Sequence, residues 1–317
     1  MARPLRVLEL YAGIGGLAAA LGSAAEIVAA VDINGGALEV YGHNFGHRRI
    51  TALLESLRAD ELGDLGADLW WASPPCQPFT RRGQRLDLAD PRAKTFKVFV
   101  ERLEAVRPRY VALENVVGFE RSDARQLLVA ALERSGYLHS MWEEVICPSD
   151  FGWPNRRPRY YLVASRRGAF RDRTTPPPRR RSLASLLDQS ADPEASSSGN
   201  PDLELDPEVL VRYRHAIEIL DRDDPAAMTA CFTSAYGRSP VRSGSYVKTA
   251  IGARYFTPLE ILGLLGFPET YRLPAWAAGP GNGRKKAWRL VGNSLSLPAV
   301  RHALSWFPEL PLGIEGW

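Results

Sequence analysis

An α/β fold built on a mostly parallel sheet is what this sequence predicts, and three observations carry the prediction. Short aliphatic runs alternate with longer amphipathic stretches from residue 5 to about residue 165, which is the rhythm of repeated βα units. The first run breaks into a glycine-rich turn, Gly13-Ile14-Gly15-Gly16, that lets backbone approach a nucleotide-like ligand. A later run ends in Pro74-Pro75-Cys76-Gln77-Pro78, where prolines on both sides stiffen a loop and present a single thiol.

Taken in order, Leu5 to Leu10 is the first buried strand and Gly15 to Ala24 the helix after it. Ile27 to Asp32 and Gly36 to Phe45 form the next such pair. Asp68 to Ser73 and Arg109 to Glu114 are further strands, with helices over Arg92 to Val106 and Asp123 to Ser135. Arg159 to Ala164 reads as a later strand, antiparallel to the rest. From Arg166 to about Asp206 the periodicity stops. Pro176-Pro177-Pro178, Arg179-Arg180-Arg181 and Ser196-Ser197-Ser198 mark a linker or the start of a smaller, irregular domain. Helices are expected again over Pro207 to Asp221 and over Thr257 to Leu265, the second with Thr257 as N-cap and Pro258 at its first position. A last helix is expected to follow Asn293 and to end near Trp306.

Composition narrows the function classes. The 317 residues are 45% hydrophobic and 24% charged, an ordinary balance for a soluble protein, and no apolar stretch reaches membrane-spanning length. The start runs straight into a strand pattern, so no export signal is expected. Three scattered cysteines, Cys76, Cys147 and Cys231, supply neither a disulfide framework nor a metal cluster, which favours a reducing, cytoplasmic compartment. Of the 40 basic residues, 35 are arginines. That bias suits a nucleic-acid partner, and it equally suits an arginine-rich genome with solvated arginines.

Each candidate residue has a chemical reading and a plainer one. Cys76 is a presented nucleophile or a small apolar residue in a core. The spacing Gly13-x-Gly15-Gly16 lacks the third glycine of the dinucleotide fingerprint, which disfavours a nicotinamide cofactor. Asp32, ending its strand, would hold ribose hydroxyls or cap the helix near Gly36. Glu114 ends another strand on the same rim as Cys76, as an acid beside a nucleophile or as a cap or ion-pair partner. Arg157 and Arg159 alternate onto one face, suited to an anion, to a base carbonyl or to holding a nearby thiol as thiolate. A solvated basic edge is the plainer reading. Gly292-Asn293-Ser294 opens the final helix as a cap.

Together these segments resemble, in order, the cytosine-C5 methyltransferases: the glycine turn, Pro74-Pro75-Cys76-Gln77, Glu114-Asn115-Val116, Asn155-Arg156-Arg157-Pro158-Arg159 and Gly292-Asn293-Ser294. A narrower likeness is to the tRNA cytosine-38 methyltransferases. It rests on Cys231-Phe232-Thr233 with Tyr236-Gly237, on Arg254-Tyr255-Phe256-Thr257-Pro258, on Leu265-Gly266-Phe267-Pro268 and on Pro78-Phe79-Thr80-Arg81. Two departures stand out: Asn155 replaces a glutamine usual in the DNA enzymes, and residues 171–200 align with nothing in the family.

The resemblance implies a Rossmann-like, S-adenosylmethionine-dependent catalytic domain over residues 1–165, a small target-recognition region over 166–255, and a segment over 256–317 that returns to the catalytic domain. It implies that Cys76 attacks C6 of a cytosine while Glu114 contacts N3 and the exocyclic amine. Arg159 would hold O2, and Arg157 would support the cysteine loop or a phosphate. The cofactor would lie on Tyr11, Ala12, Gly13, Ile14, Gly15 and Gly16, with Asp32 on ribose, Ile33 and Glu55 at adenine, and Pro75, Asn293 and Ser294 closing the site. Cys231, Phe232, Thr233 and Tyr236 would recognise the substrate. The expected partner is tRNA, with a target cytosine in the anticodon loop and no metal, bound by a monomer. The alternative is a DNA cytosine-C5 methyltransferase of a restriction-modification system. A catalytically silent nucleic-acid-binding protein and a nucleotide-dependent oxidoreductase are the remaining readings.

Overall fold

The structure, a computed structural model, describes residues 3–75, 93–137, 140–168, 170, 180–188, 202–278, 281–310 and 312. Seven strands form the main sheet in the order β3-β2-β1-β4-β5-β7-β6. These are β1 (Leu5–Leu10), β2 (Ala25–Asp32), β3 (Arg49–Thr51), β4 (Leu69–Ala72), β5 (Tyr110–Val116), β6 (Met141–Ile146) and β7 (Arg159–Ser165). β1 to β5 run parallel, and β7 lies antiparallel between β5 and β6.

Strand alternation sorts side chains onto two layers. Trp71, Val7 and Tyr161 face one layer, while Trp70, Leu8 and Tyr160 face the other. Helices α1 (Gly16–Leu21) and α2 (Gly35–Asn44) cover the first layer together with the C-terminal helix Leu297–Leu304. Helices α3 (Ala59–Asp64), α4 (Lys94–Val106) and α5 (Asp123–Arg134) cover the second. In α4, Phe96, Phe99, Val100 and Leu103 are buried at the three-and-four spacing of one helical face. Because both faces of the sheet are covered, strands such as Leu69-Trp70-Trp71-Ala72 are buried throughout and read as continuous apolar runs.

From β1 the chain builds outward through β2 and β3 on one side and then returns to place β4 on the other side of β1, so strand order reverses between β1 and β4. A crevice opens at the carboxyl ends of strands at such a point. The turn after β1 and the run Ser73-Pro74-Pro75 after β4 both end there, and both line one cavity.

A second, three-stranded sheet, β10-β9-β8, combines β8 (Ile219–Leu220), β9 (Tyr246–Thr249) and β10 (Gly252–Tyr255). Its core is an aromatic cluster of Phe232, Tyr236, Tyr246 and Tyr255, joined by Phe256 and Trp288.

Four expectations need correction. The helix expected over Pro207 to Asp221 ends at Tyr213, and Ile219 and Leu220 form β8 instead, pairing with Tyr246 and Val247. The helix expected to reach Ala24 stops at Leu21, where Gly22 adopts φ 52° and a 3-10 turn follows. Asn293 does not open the last helix. It caps the carboxyl end of a helix over Asn282–Gly292, and the final helix is Leu297–Leu304, with Pro298 in its first turn. Strands β3, β6, β9 and β10 were not among the expected elements; in β6 the central Glu143-Glu144 breaks the apolar pattern.

Candidate active site

One cavity of about 610 Å³ gathers most of the residues singled out from the sequence. Its walls include Tyr11, Ala12, Gly13, Ile14 and Gly16 from the glycine turn, and Asp32 and Ile33 from the end of β2. Glu55, Pro75, Glu114, Arg157, Arg159, Asn293 and Ser294 line it as well. Cys76 and residues 77 to 81 lie outside the described residues.

The glycine turn owes its shape to backbone that only glycine holds without strain. Gly13 has φ 55° and Gly15 φ 88°, and a Cβ on Gly15 would stand 2.7 Å from the Phe45 ring. The Gly13 amide donates to Asp32 Oδ2 at 2.8 Å, and the Asn34 amide donates to Asp32 Oδ1 at 2.7 Å. Asp32 therefore ties the β2 rim to the glycine turn. The helix cap expected of it belongs to Asn34, whose Oδ1 accepts from the Gly36 and Ala37 amides.

Glu114 stands on β5, two residues before the strand ends at Val116, with its carboxyl almost wholly buried. Its Oε1 lies 3.3 Å from Arg159 Nε. Burial pushes the carboxyl above its ordinary range, and Arg159, Arg157 and the Ser73 hydroxyl offset only part of that. The result is an acid that keeps its proton to higher pH than a solvated glutamate.

Arg157 and Arg159 do share a face, as alternation predicts, and both meet Cys231. Its Sγ is 3.3 Å from Arg157 Nη1 and 3.6 Å from Arg159 Nη2. Burial pushes the Cys231 thiol up, but the two guanidiniums outweigh it and hold the thiol below its ordinary value. Arg157 has further partners. Its Nη1 donates to the Phe232 carbonyl at 2.8 Å, and its Nη2 donates to the Gly292 and Ser294 carbonyls at 3.2 and 2.5 Å. Both terminal nitrogens are thus committed to protein partners, so the phosphate role expected for Arg157 does not fit. The residue clamps the 231–232 segment to the 292–294 turn.

Two further expectations change. Phe232 and Tyr236, expected to recognise substrate, are 1% and 0% exposed. Their rings pack edge to face at 5.0 Å, and Tyr236 Oη accepts from the Phe256 amide and donates to the Ser245 carbonyl. They build the small sheet's core and cannot touch a substrate from there. Cys231 and Thr233 are partly exposed beside them, with Thr233 Oγ1 accepting from the Ala235 amide.

Sequence reading missed Ser73, Asn34, Lys94 and Thr95, which also line the cavity. Ser73 carried a usable signal, a hydroxyl closing a fully apolar strand just before two prolines. Lys94 and Thr95 enter because Tyr11 Oη meets Thr95 Oγ1 at 3.0 Å, a contact between segments 84 residues apart.

Among the described residues no three metal-ligating side chains cluster, and no helix is long and apolar enough to cross a membrane. The family model for C-5 cytosine-specific DNA methylases matches residues 5–305. A rat tRNA (cytosine(38)-C(5))-methyltransferase is 30% identical over 95% of this chain and 98% of its own length. The enzyme of that name from Schizosaccharomyces pombe is 32% identical over 96% of this chain and 97% of its own. A crystal structure of a Spodoptera frugiperda DNMT2 variant superposes with a TM-score of 0.79 at 30% identity, covering 95% of this chain and 98% of that one.

Proposed function

The chain belongs to the C-5 cytosine-specific DNA methylase family, and from that premise we propose that it methylates C5 of a cytosine in tRNA, at position 38 of the anticodon loop. The observation that carries the chemistry is the buried Glu114 carboxyl, its proton affinity raised by burial and its oxygen braced by Arg159, on the cavity wall it shares with Ser73-Pro74-Pro75 and the glycine turn. The tRNA reading is supported by the relatives and by Cys231-Phe232-Thr233, which meets the arginine pair at that cavity.

In this reading Cys76 attacks C6 as a thiolate, and the Sγ–C6 bond forms as Glu114 delivers its proton to N3. Arg159, between Glu114 and Cys231, holds the base carbonyl O2. C5 is then nucleophilic and takes up the methyl group; loss of the C5 proton to a base restores the double bond and releases Cys76 as thiolate, and N3 returns its proton to Glu114. The target must leave its stack to enter the cavity, which costs least in a loop whose bases are unpaired.

S-adenosylmethionine, when bound, supplies an electrophilic methyl carbon. The residues present fit it. Glu55 Oε2 is buried without a hydrogen-bond partner, as an acceptor for an adenine amino group would be. Ile33 is apolar yet 61% exposed at the cavity, ready to lie against a ring. Asp32 stands between them and the glycine turn, where ribose hydroxyls would meet it.

The test is transfer of labelled methyl groups from S-adenosylmethionine to tRNA and to duplex DNA. The proposal expects label in tRNA, none with Cys76→Ala, and a loss of roughly 10² to 10⁴ in rate with Glu114→Gln, the fold unchanged. Label in DNA alone would overturn the choice of polymer, and wild-type rates in Glu114→Gln would remove Glu114 from the chemistry.

A further inference from the structure

Trp71 is 1% exposed and lies on the same face of β4 as Ser73, two residues on. Its indole Nε1 donates to Ser73 Oγ at 2.9 Å. An indole nitrogen only donates, so the Ser73 proton must point elsewhere. The parallel register pairs Ala72 with Leu113, which carries Ser73 alongside Glu114 one step further, and the Ser73 hydroxyl is among the groups that favour the ionised form of that carboxyl. On the other flank stands Arg159 Nε, 3.3 Å from Oε1.

We propose that Trp71 and Ser73 are positioning residues for Glu114: the buried indole fixes the Ser73 hydroxyl, and that hydroxyl holds the carboxyl toward the cavity opposite Arg159. The inference rests on the reading that Glu114 acts on the target base. A carboxyl held on one side only would rotate about its last bonds, and small misplacements of a reacting group are costly in rate. Ser73 also closes the rim where the chain turns into its proline run, so the strand that delivers the cysteine loop also orients the acid.

Other groups face Glu114. Arg157 and Arg159 come from β7 and the residues leading into it and Tyr161 from β7, while Cys231, from the segment before β9, meets the two arginines. The arginines act on the carboxyl by charge. Ser73 acts as a neutral donor that favours the ionised form, so removing it has a signature of its own.

Ser73→Ala tests this by two readouts. The first is the carboxyl-carbon NMR titration of Glu114, identified as the resonance missing in Glu114→Gln and followed without substrate. It is expected to move to higher pH in Ser73→Ala, to return toward wild type in Ser73→Thr, which keeps the hydroxyl, and to move in the same direction in Trp71→Phe. The second is methylation of tRNA, where Ser73→Ala should lower kcat roughly ten- to hundredfold with KM for S-adenosylmethionine unchanged and with partial rescue by threonine. An unchanged titration in Ser73→Ala overturns the relay, whatever happens to activity. Failure of the wild-type protein to methylate tRNA overturns the proposed function instead, and leaves the titration to decide the relay alone.

Discussion

Glu9 lies just before the glycine turn, one residue from the end of β1, and is buried. Its carboxyl faces the Leu17 and Ala18 amides at the start of α1, where Gly15 has no side chain to offer as a cap, and Tyr41 Oη donates to Oε2 at 3.2 Å. Tyr41 Oη in turn meets His47 Nδ1 at 2.8 Å. The helix terminus and the tyrosine favour the anion, yet burial outweighs them and pushes the carboxyl up to about 8. The folded chain therefore holds a proton that the unfolded chain releases above the ordinary glutamate range. Stability from this group is complete at acid pH and is lost as pH rises from about 4.5 toward 8, by up to about 1.4 kcal/mol per pH unit for one proton. Glu9→Gln, which is neutral throughout, should flatten that part of the Tm-against-pH curve. Identical slopes for variant and wild type would show that Glu9 is ionised in the folded state.

At the scale of elements, the helix Asn282–Gly292 and the segment Cys231-Phe232-Thr233 meet too closely for any side chain between them. A Cβ on Gly292 would lie 2.4 Å from both the carbonyl carbon and the oxygen of Thr233, which are backbone atoms that cannot swing away. Arg157 bonds across the same junction, to Phe232, Gly292 and Ser294. Gly292→Ala should therefore cost about 1 to 3 kcal/mol in denaturant unfolding and weaken tRNA binding, because it displaces Cys231 from the arginine pair. A variant within about 0.5 kcal/mol of wild type would mean that the junction yields easily. The next link along is the helix Pro258–Leu264. Its Glu260 accepts from the Thr257 amide at 2.8 Å and pairs with the Arg254 guanidinium, and the carboxylate is wholly buried. Capping and pairing by one side chain lock this helix to the end of β10.

Across the whole molecule, the central strands were legible because periodicity and burial coincide there. β1 matches its expected span, and β2, β4 and β5 differ by one or two residues at their ends. The antiparallel β7 was legible too, and alternation alone put Arg157 and Arg159 on one face. What the chain hid were features that depend on partners far away in sequence. β6 carries Glu143 at its centre because Arg125 and Tyr160 pair with it from α5 and β7, so its burial pattern is not that of an apolar strand. Phe232 and Tyr236 belong to a signature tripeptide and its neighbour expected to recognise substrate, but their rings pack with Phe256 and Tyr255 into the core of the small sheet. Ser73 stands out in the sequence as a hydroxyl closing an apolar strand, but its place beside Glu114 shows only in the register of β4 with β5. The architecture nonetheless gathers the glycine turn, the β4 rim, Glu114 and the arginine pair around one crevice, which is the arrangement a covalent attack on a base requires. The most direct measurement of that claim is mass spectrometry of the protein trapped with 5-fluorocytosine-containing tRNA and S-adenosylmethionine. A nucleotide attached at Cys76, and absent in Cys76→Ala, is the predicted result; attachment at Cys231 or no adduct at all would contradict it.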